Sequence, residues 1–116
     1  MYTLYGIPNY NTVKKAMDWL KKNEIEFQFH DYKKKGINPI KLEDWVAQIG
    51  WETLVNKRGT TWKGLDETLQ ASITNQKNAI ALMVEKTSVI KRPIIENGNK
   101  IVTVGFDEKE YENVFY

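Results

Sequence analysis

The chain contains no cysteine. Disulfides, thiolate metal ligands and thiol–disulfide exchange by its own side chains are therefore excluded. Histidine is almost as scarce: His30 stands alone, beside Asp31. One imidazole without a thiol is a poor start for a metal site, and no nucleophile motif accompanies it to build a Ser/His/Asp centre. His30 reads as a structural residue on a strand edge. No apolar run approaches the roughly 20 residues that cross a bilayer, and the first residues lack the basic-then-apolar pattern of a secretory leader. The expectation is a cytoplasmic protein with no membrane partner. Charge of one sign is also lacking, since 17 Lys and Arg against 15 Asp and Glu leave a formal +2. That balance gives no reason to expect direct nucleic-acid binding. The four tryptophans are not interleaved with a basic stripe, and Lys33-Lys34-Lys35 reads as a solvated loop.

What is present suits an ordinary globular chain. A length of 116 residues, 41% hydrophobic and 28% charged, predicts one domain over 1–116. Met1 to Gly6 alternates apolar and polar side chains before Gly6 and Pro8 break it, which predicts a strand and a turn. Val13, Ala16, Met17 and Leu20 then repeat at helical spacing, with Asn11 or Thr12 as cap and Asn23 as the end. Phe27 and Phe29 mark a second strand, reaching as far as Asp31-Tyr32. Strand–helix–strand in this order predicts a parallel pair with a right-handed crossover.

The middle is helical in pieces. Pro39 is a first-turn proline ahead of Leu42, Trp45, Val46 and Ile49; Trp51 to Val55 forms a short helix; Arg58 to Lys63 reads as a polar loop. Leu65 to Lys86 follows, with Ile73, Ile80, Met83 and Val84 as core candidates. Near the end, Ile94-Ile95 and Ile101 to Val104 flank Asn97-Gly98, a strong hairpin signal. Asp107 then opens a closing helix with Tyr111, Val114 and Phe115 inward, its acidic first turn opposing the helix dipole. The predicted class is α/β: a thioredoxin-like fold with a mixed sheet, flanking helices on both faces and a helical insertion at about 36–88.

Four segments together carry a resemblance. They are Leu4-Tyr5-Gly6-Ile7-Pro8-Asn9-Tyr10-Asn11-Thr12 with Lys14-Lys15-Ala16; Phe29-His30-Asp31-Tyr32; Gly50-Trp51-Glu52 with Asn56-Lys57-Arg58-Gly59-Thr60-Thr61-Trp62; and Ile90-Lys91-Arg92-Pro93-Ile94. The chain is similar over nearly its whole length to the arsenate reductase (ArsC), Spx and YffB family. It is closest in flavour to the YffB-like branch of glutathione-dependent thiol reductases. The resemblance implies a cis peptide at Arg92-Pro93, a catalytic thiolate at the start of the first helix, and substrate charge held by Arg58 and Arg92. The family's catalytic cysteine falls on Tyr10. The two-cysteine switch of Spx-like members falls on Tyr10 and Val13, and the third arginine of arsenate reductases is absent from Val104-Gly105-Phe106-Asp107. Arsenate is therefore not the expected substrate.

Asn9 to Lys15 enters a helix N-terminus, where backbone amides and a partial positive charge suit an anion; the same features serve any capped helix. A guanidinium fork at Arg58 and Arg92 suits carboxylates and oxyanions, although most arginines are solvent-facing. Pro93 in cis exposes backbone able to pair with an extended peptide such as glutathione. Tyr10 admits three readings: a natural loss of the nucleophile, an alteration of a native cysteine, or a tyrosine with its own acid–base role. The resulting expectation is a redox-inactive monomer binding glutathione or a similar small anion through Asn9, Asn11, Thr12, Arg58, Arg92 and Pro93. Tyr10 occupies the catalytic position and no resident cofactor is expected. The alternative is a Spx-like transcriptional regulator that binds RNA polymerase.

Overall fold

A computed structural model describes residues 1–116. Along the chain run β1 (Tyr2–Gly6), α1 (Asn11–Lys22), β2 (Phe27–Asp31), α2 (Tyr32–Lys35), α3 (Pro39–Ile49), α4 (Trp51–Leu54), α5 (Thr60–Lys63), α6 (Glu67–Ser72) and α7 (Gln76–Glu85). After a 3-10 turn at Thr87–Val89 come β3 (Ile94–Asn97), β4 (Lys100–Val104) and α8 (Glu108–Phe115). The chain divides into two compact units: Met1–Lys35 with Arg92–Tyr116, and Gly36–Lys91.

The first unit is built on a four-stranded sheet in the order β2-β1-β3-β4. β1 and β2 pair in parallel, Leu4 opposite Phe29, as the crossover through α1 requires. β3 runs antiparallel to both β1 and β4. The hairpin turns one residue later than the sequence suggests. Asn97 ends β3, and Gly98 takes the turn with a φ of +63°, a conformation that disfavours a Cβ. Leu4 and Ile95 face each other across β1 and β3 and are wholly buried with Val13, Ala16 and Leu20 of α1 and Tyr111 of α8. Around them Trp19 meets Tyr111 edge-on at 5.4 Å, and Phe106 and Phe115 add further edge contacts to Tyr111. Phe115 thus packs inward as expected, but Val114 is exposed: on a two-turn helix only Tyr111 and Phe115, four apart, share the buried stripe.

Gly6 is needed where β1 hands over to α1. A Cβ there would lie 2.8 Å from Val13 Cγ2, so any side chain would push the helix off the strand end. Asp107 opens α8 as expected, its carboxylate accepting from the amides of Lys109 and Glu110.

The second unit is helical. Asn38 caps α3 by accepting from the Ile40 amide, with Pro39 in the first turn. Asp66 and Asn75 cap α6 and α7 in the same way. Leu42, Trp45, Leu54, Ile73, Ala79, Ile80 and Met83 are buried, while Val84 is exposed. An antiparallel bridge between Val55 and Ile90 closes the unit, with Asn56 donating to Val89 and Lys91 to Leu54. Thr60–Lys63 is a helical turn rather than the expected loop; four residues are too few to show a periodicity in sequence.

Candidate functional site

A tight turn sets the start of α1. The Tyr10 amide donates to the Ile7 carbonyl at 3.1 Å, with Pro8 supplying a pre-set φ inside the turn, and the Tyr10 carbonyl then accepts from Lys14 at 3.0 Å. Tyr10 is consequently the N-cap, displacing Asn11 and Thr12 from the capping role read in the sequence. Its side chain makes no cap hydrogen bond, and no acidic residue sits in the first turn. Amides at the positive end of a 12-residue helix are thus left uncapped by any side chain, with Lys14 and Lys15 exposed just beyond them.

The Tyr10 phenol is engaged elsewhere. The Arg92 guanidinium lies 4.2 Å from the centre of its ring, a cation–π contact linking the start of α1 to the start of β3. Arg92 precedes Pro93 through a cis peptide bond, and the Pro93 carbonyl accepts from Gly105 at 2.8 Å. Burial pulls the Arg92 guanidinium below its ordinary value, while Tyr10 and Tyr32 act in the opposite direction. The structure therefore brings Tyr10, Arg92 and Pro93 together, with Asn9 in the preceding turn and Asn11 and Thr12 in the first turn of α1.

Arg58 belongs to the second unit, exposed between α4 and α5. Its amide donates to Asn56 Oδ1 at 3.2 Å, and neighbouring Lys57 places its ammonium 5.4 Å from the Trp62 ring and 6.0 Å from the Trp51 ring. These contacts hold the loop that carries Arg58.

Sequence reading missed a buried polar cluster behind Arg92. The Tyr5 hydroxyl donates to Glu96 Oε1 at 2.5 Å, and Glu96 is only 2% exposed. Alternation along β1 and β3 sets both side chains on the sheet face opposite Leu4 and Ile95. The Tyr5 ring also lies 4.7 Å from His30 and 6.2 Å from Tyr32, so His30 is held by aromatic neighbours on edge strand β2. Burial first, then the hydrogen bond and charge of Glu96, push the Tyr5 phenol far up. Tyr32 is raised as well, chiefly by burial. The available signal was a glutamate inside the apolar run Ile94-Ile95-Glu96, but its partner lies 91 residues away in sequence.

Chemically, a helix N-terminus and a half-buried guanidinium can hold a carboxylate or oxyanion. They offer no nucleophilic sulfur, because Tyr10 stands where the helix would stabilise a thiolate.

Comparison with known proteins agrees with this architecture. The family model described as "ArsC family" matches residues 5–114. An uncharacterized protein of Haemophilus influenzae is 44% identical over 115 residues, covering 99% of both chains. The global transcriptional regulator Spx of Streptococcus pyogenes is 29% identical over 112 residues, 95% of this chain and 81% of its own length. A solved structure of a YffB protein superposes with a TM-score of 0.92 at 40% identity, covering the whole of both chains. The sheet order, the cis peptide before β3 and these matches lead to one conclusion: the chain belongs to the ArsC family and has its thioredoxin-like fold.

Proposed function

We propose that this is a YffB-like member of the ArsC family that has lost thiol chemistry and retains an anion-binding site. The observation carrying this reading is that Tyr10, the N-cap of α1, sets its ring against the Arg92 guanidinium in a chain without cysteine. In this reading the ligand is glutathione or a similar small carboxylate. Asn9, Asn11 and Thr12 offer backbone amides, Arg92 forks to the carboxylate, and the backbone beside Pro93 pairs with the extended peptide. Gly36–Lys91 is a helical insertion within one domain. The protein acts as a cytoplasmic monomer.

Restoring the thiol tests the scaffold. The unmodified chain is expected to show no glutathione-coupled disulfide reduction, and Tyr10→Cys to gain it. A correctly folded Tyr10→Cys protein without turnover would refute a preserved reductase site.

A second reading has its own support. The likeness to Spx spans 95% of the chain, and a regulator that binds RNA polymerase needs no thiol to do so. Specific recovery of polymerase on the immobilised protein favours that reading; recovery equal to an unrelated control of similar charge removes it.

A further inference from the structure

Tyr32 is 1% exposed, and its hydroxyl makes no hydrogen bond. A buried hydroxyl without a partner is a standing cost to the fold, which phenylalanine would avoid at the same volume. Its surroundings are not apolar. The Tyr32 ring lies 6.2 Å from Tyr5 and 6.1 Å from His30, and the pairing of Gly6 with Asp31 and of Tyr5 with Ile94 sets Tyr32, the start of α1 and Arg92 at the same end of the sheet. Arg92 in turn covers the Tyr10 ring at the start of α1. Hydroxyl, guanidinium and uncapped helix amides therefore belong to one region of the first unit.

We propose that Tyr32 is an anion-binding residue whose hydroxyl donates to a carboxylate or oxyanion held by Arg92 at the N-terminus of α1. This inference rests on the anion-site reading above. It explains why a tyrosine is kept where its oxygen finds no partner within the chain. Burial above all raises the Tyr32 phenol well above its ordinary value, so it stays protonated and acts as donor.

The test is calorimetric titration of the full chain with reduced glutathione, and separately with sodium sulfate, in the unmodified protein and in Tyr32→Phe. Thermal melts of both are run beside it. The expected result is an unchanged or higher Tm together with roughly tenfold or greater loss of affinity, as for a hydrogen bond to a charged group. Sulfate binding alongside glutathione assigns a general oxyanion site; glutathione alone assigns a carboxylate peptide. A lower Tm overturns the proposal, because the hydroxyl would then serve the fold. Unchanged affinity overturns it too, while leaving the anion site standing. No saturable binding by the unmodified protein removes both. The Cζ resonance of Tyr32 in the 13C-labelled unmodified chain gives an independent readout. It should shift with the same midpoint as the calorimetric curve, and a resonance that stays still through saturation contradicts the assignment.

Discussion

The two faces of the sheet in the first unit are stabilised differently. On one face Leu4 and Ile95 meet across the strands and pack with Val13, Ala16, Leu20 and Tyr111, all wholly buried. On the other face Tyr5 and Glu96 are joined by one short hydrogen bond, beside His30 and a Tyr32 hydroxyl without a partner. Stability on the first face is spread over many weak contacts, to which the Tyr111 hydroxyl adds a hydrogen bond donated to the Gly105 carbonyl at 2.8 Å. On the second, wholly buried Ile94 lies opposite Tyr5, and stability depends also on a few polar groups whose partners must be kept, because the low-dielectric interior magnifies both a bond made and a bond lost. The polar face leads to Arg92 and Tyr10, the apolar face only to helix packing.

The hardest way to break this contrast is on the apolar side. Leu4→Ala should cost roughly 2–5 kcal/mol by urea denaturation, because the site is fully enclosed and collapses little. Tyr5→Phe comes next. It strips a donor from a carboxylate that is 2% exposed, and a loss of about 1–3 kcal/mol is expected by the same measurement. Glu96→Gln, which keeps an acceptor oxygen for the Tyr5 hydroxyl, should cost less than Tyr5→Phe. The reverse order would show that the hydrogen bond is not what holds this pair.

Alkaline titration sharpens the comparison without any substitution. Tyr5 and Tyr32 have phenols raised by burial, and burial of Tyr111 pushes its phenol up to about 12. A raised folded value means that the unfolded chain releases these protons first, near pH 10 for an ordinary phenol. Their contribution is thus complete below about pH 10 and declines as pH climbs through the folded values. Equilibrium unfolding from pH 8 to 12 should show this decline, and Tyr5→Phe should make it shallower. The smallest effect on stability belongs to Tyr10→Ala. An exposed cation–π contact is worth about 0.5–1 kcal/mol, so the denaturation midpoint should barely move.

The contrast between the faces also decides what could be read in advance. Val13, Ala16 and Leu20 announce their helix because the apolar stripe repeats locally, and Asn97-Gly98 announces its hairpin within four residues. The expected strand pairings and the cis Arg92-Pro93 bond are both present. The Tyr5–Glu96 bond has no local signal, since the partners meet only after the chain has passed through the second unit. Tyr10 as N-cap was hidden for another reason. Tyrosine is not a capping side chain, and the turn from Ile7 rather than a side-chain oxygen fixes where α1 begins. Val84 and Val114 lie one residue off the buried stripes of short helices, where apolar character says little about direction.

An NMR titration of the 15N-labelled unmodified protein with reduced glutathione, repeated with Arg92→Ala, bears most heavily on the proposed site. Saturable shifts confined to the amides of Asn9 to Val13 and Arg92, weakened in the variant, are the predicted result. Spectra that stay flat to millimolar glutathione would contradict a surviving anion site beside the lost nucleophile.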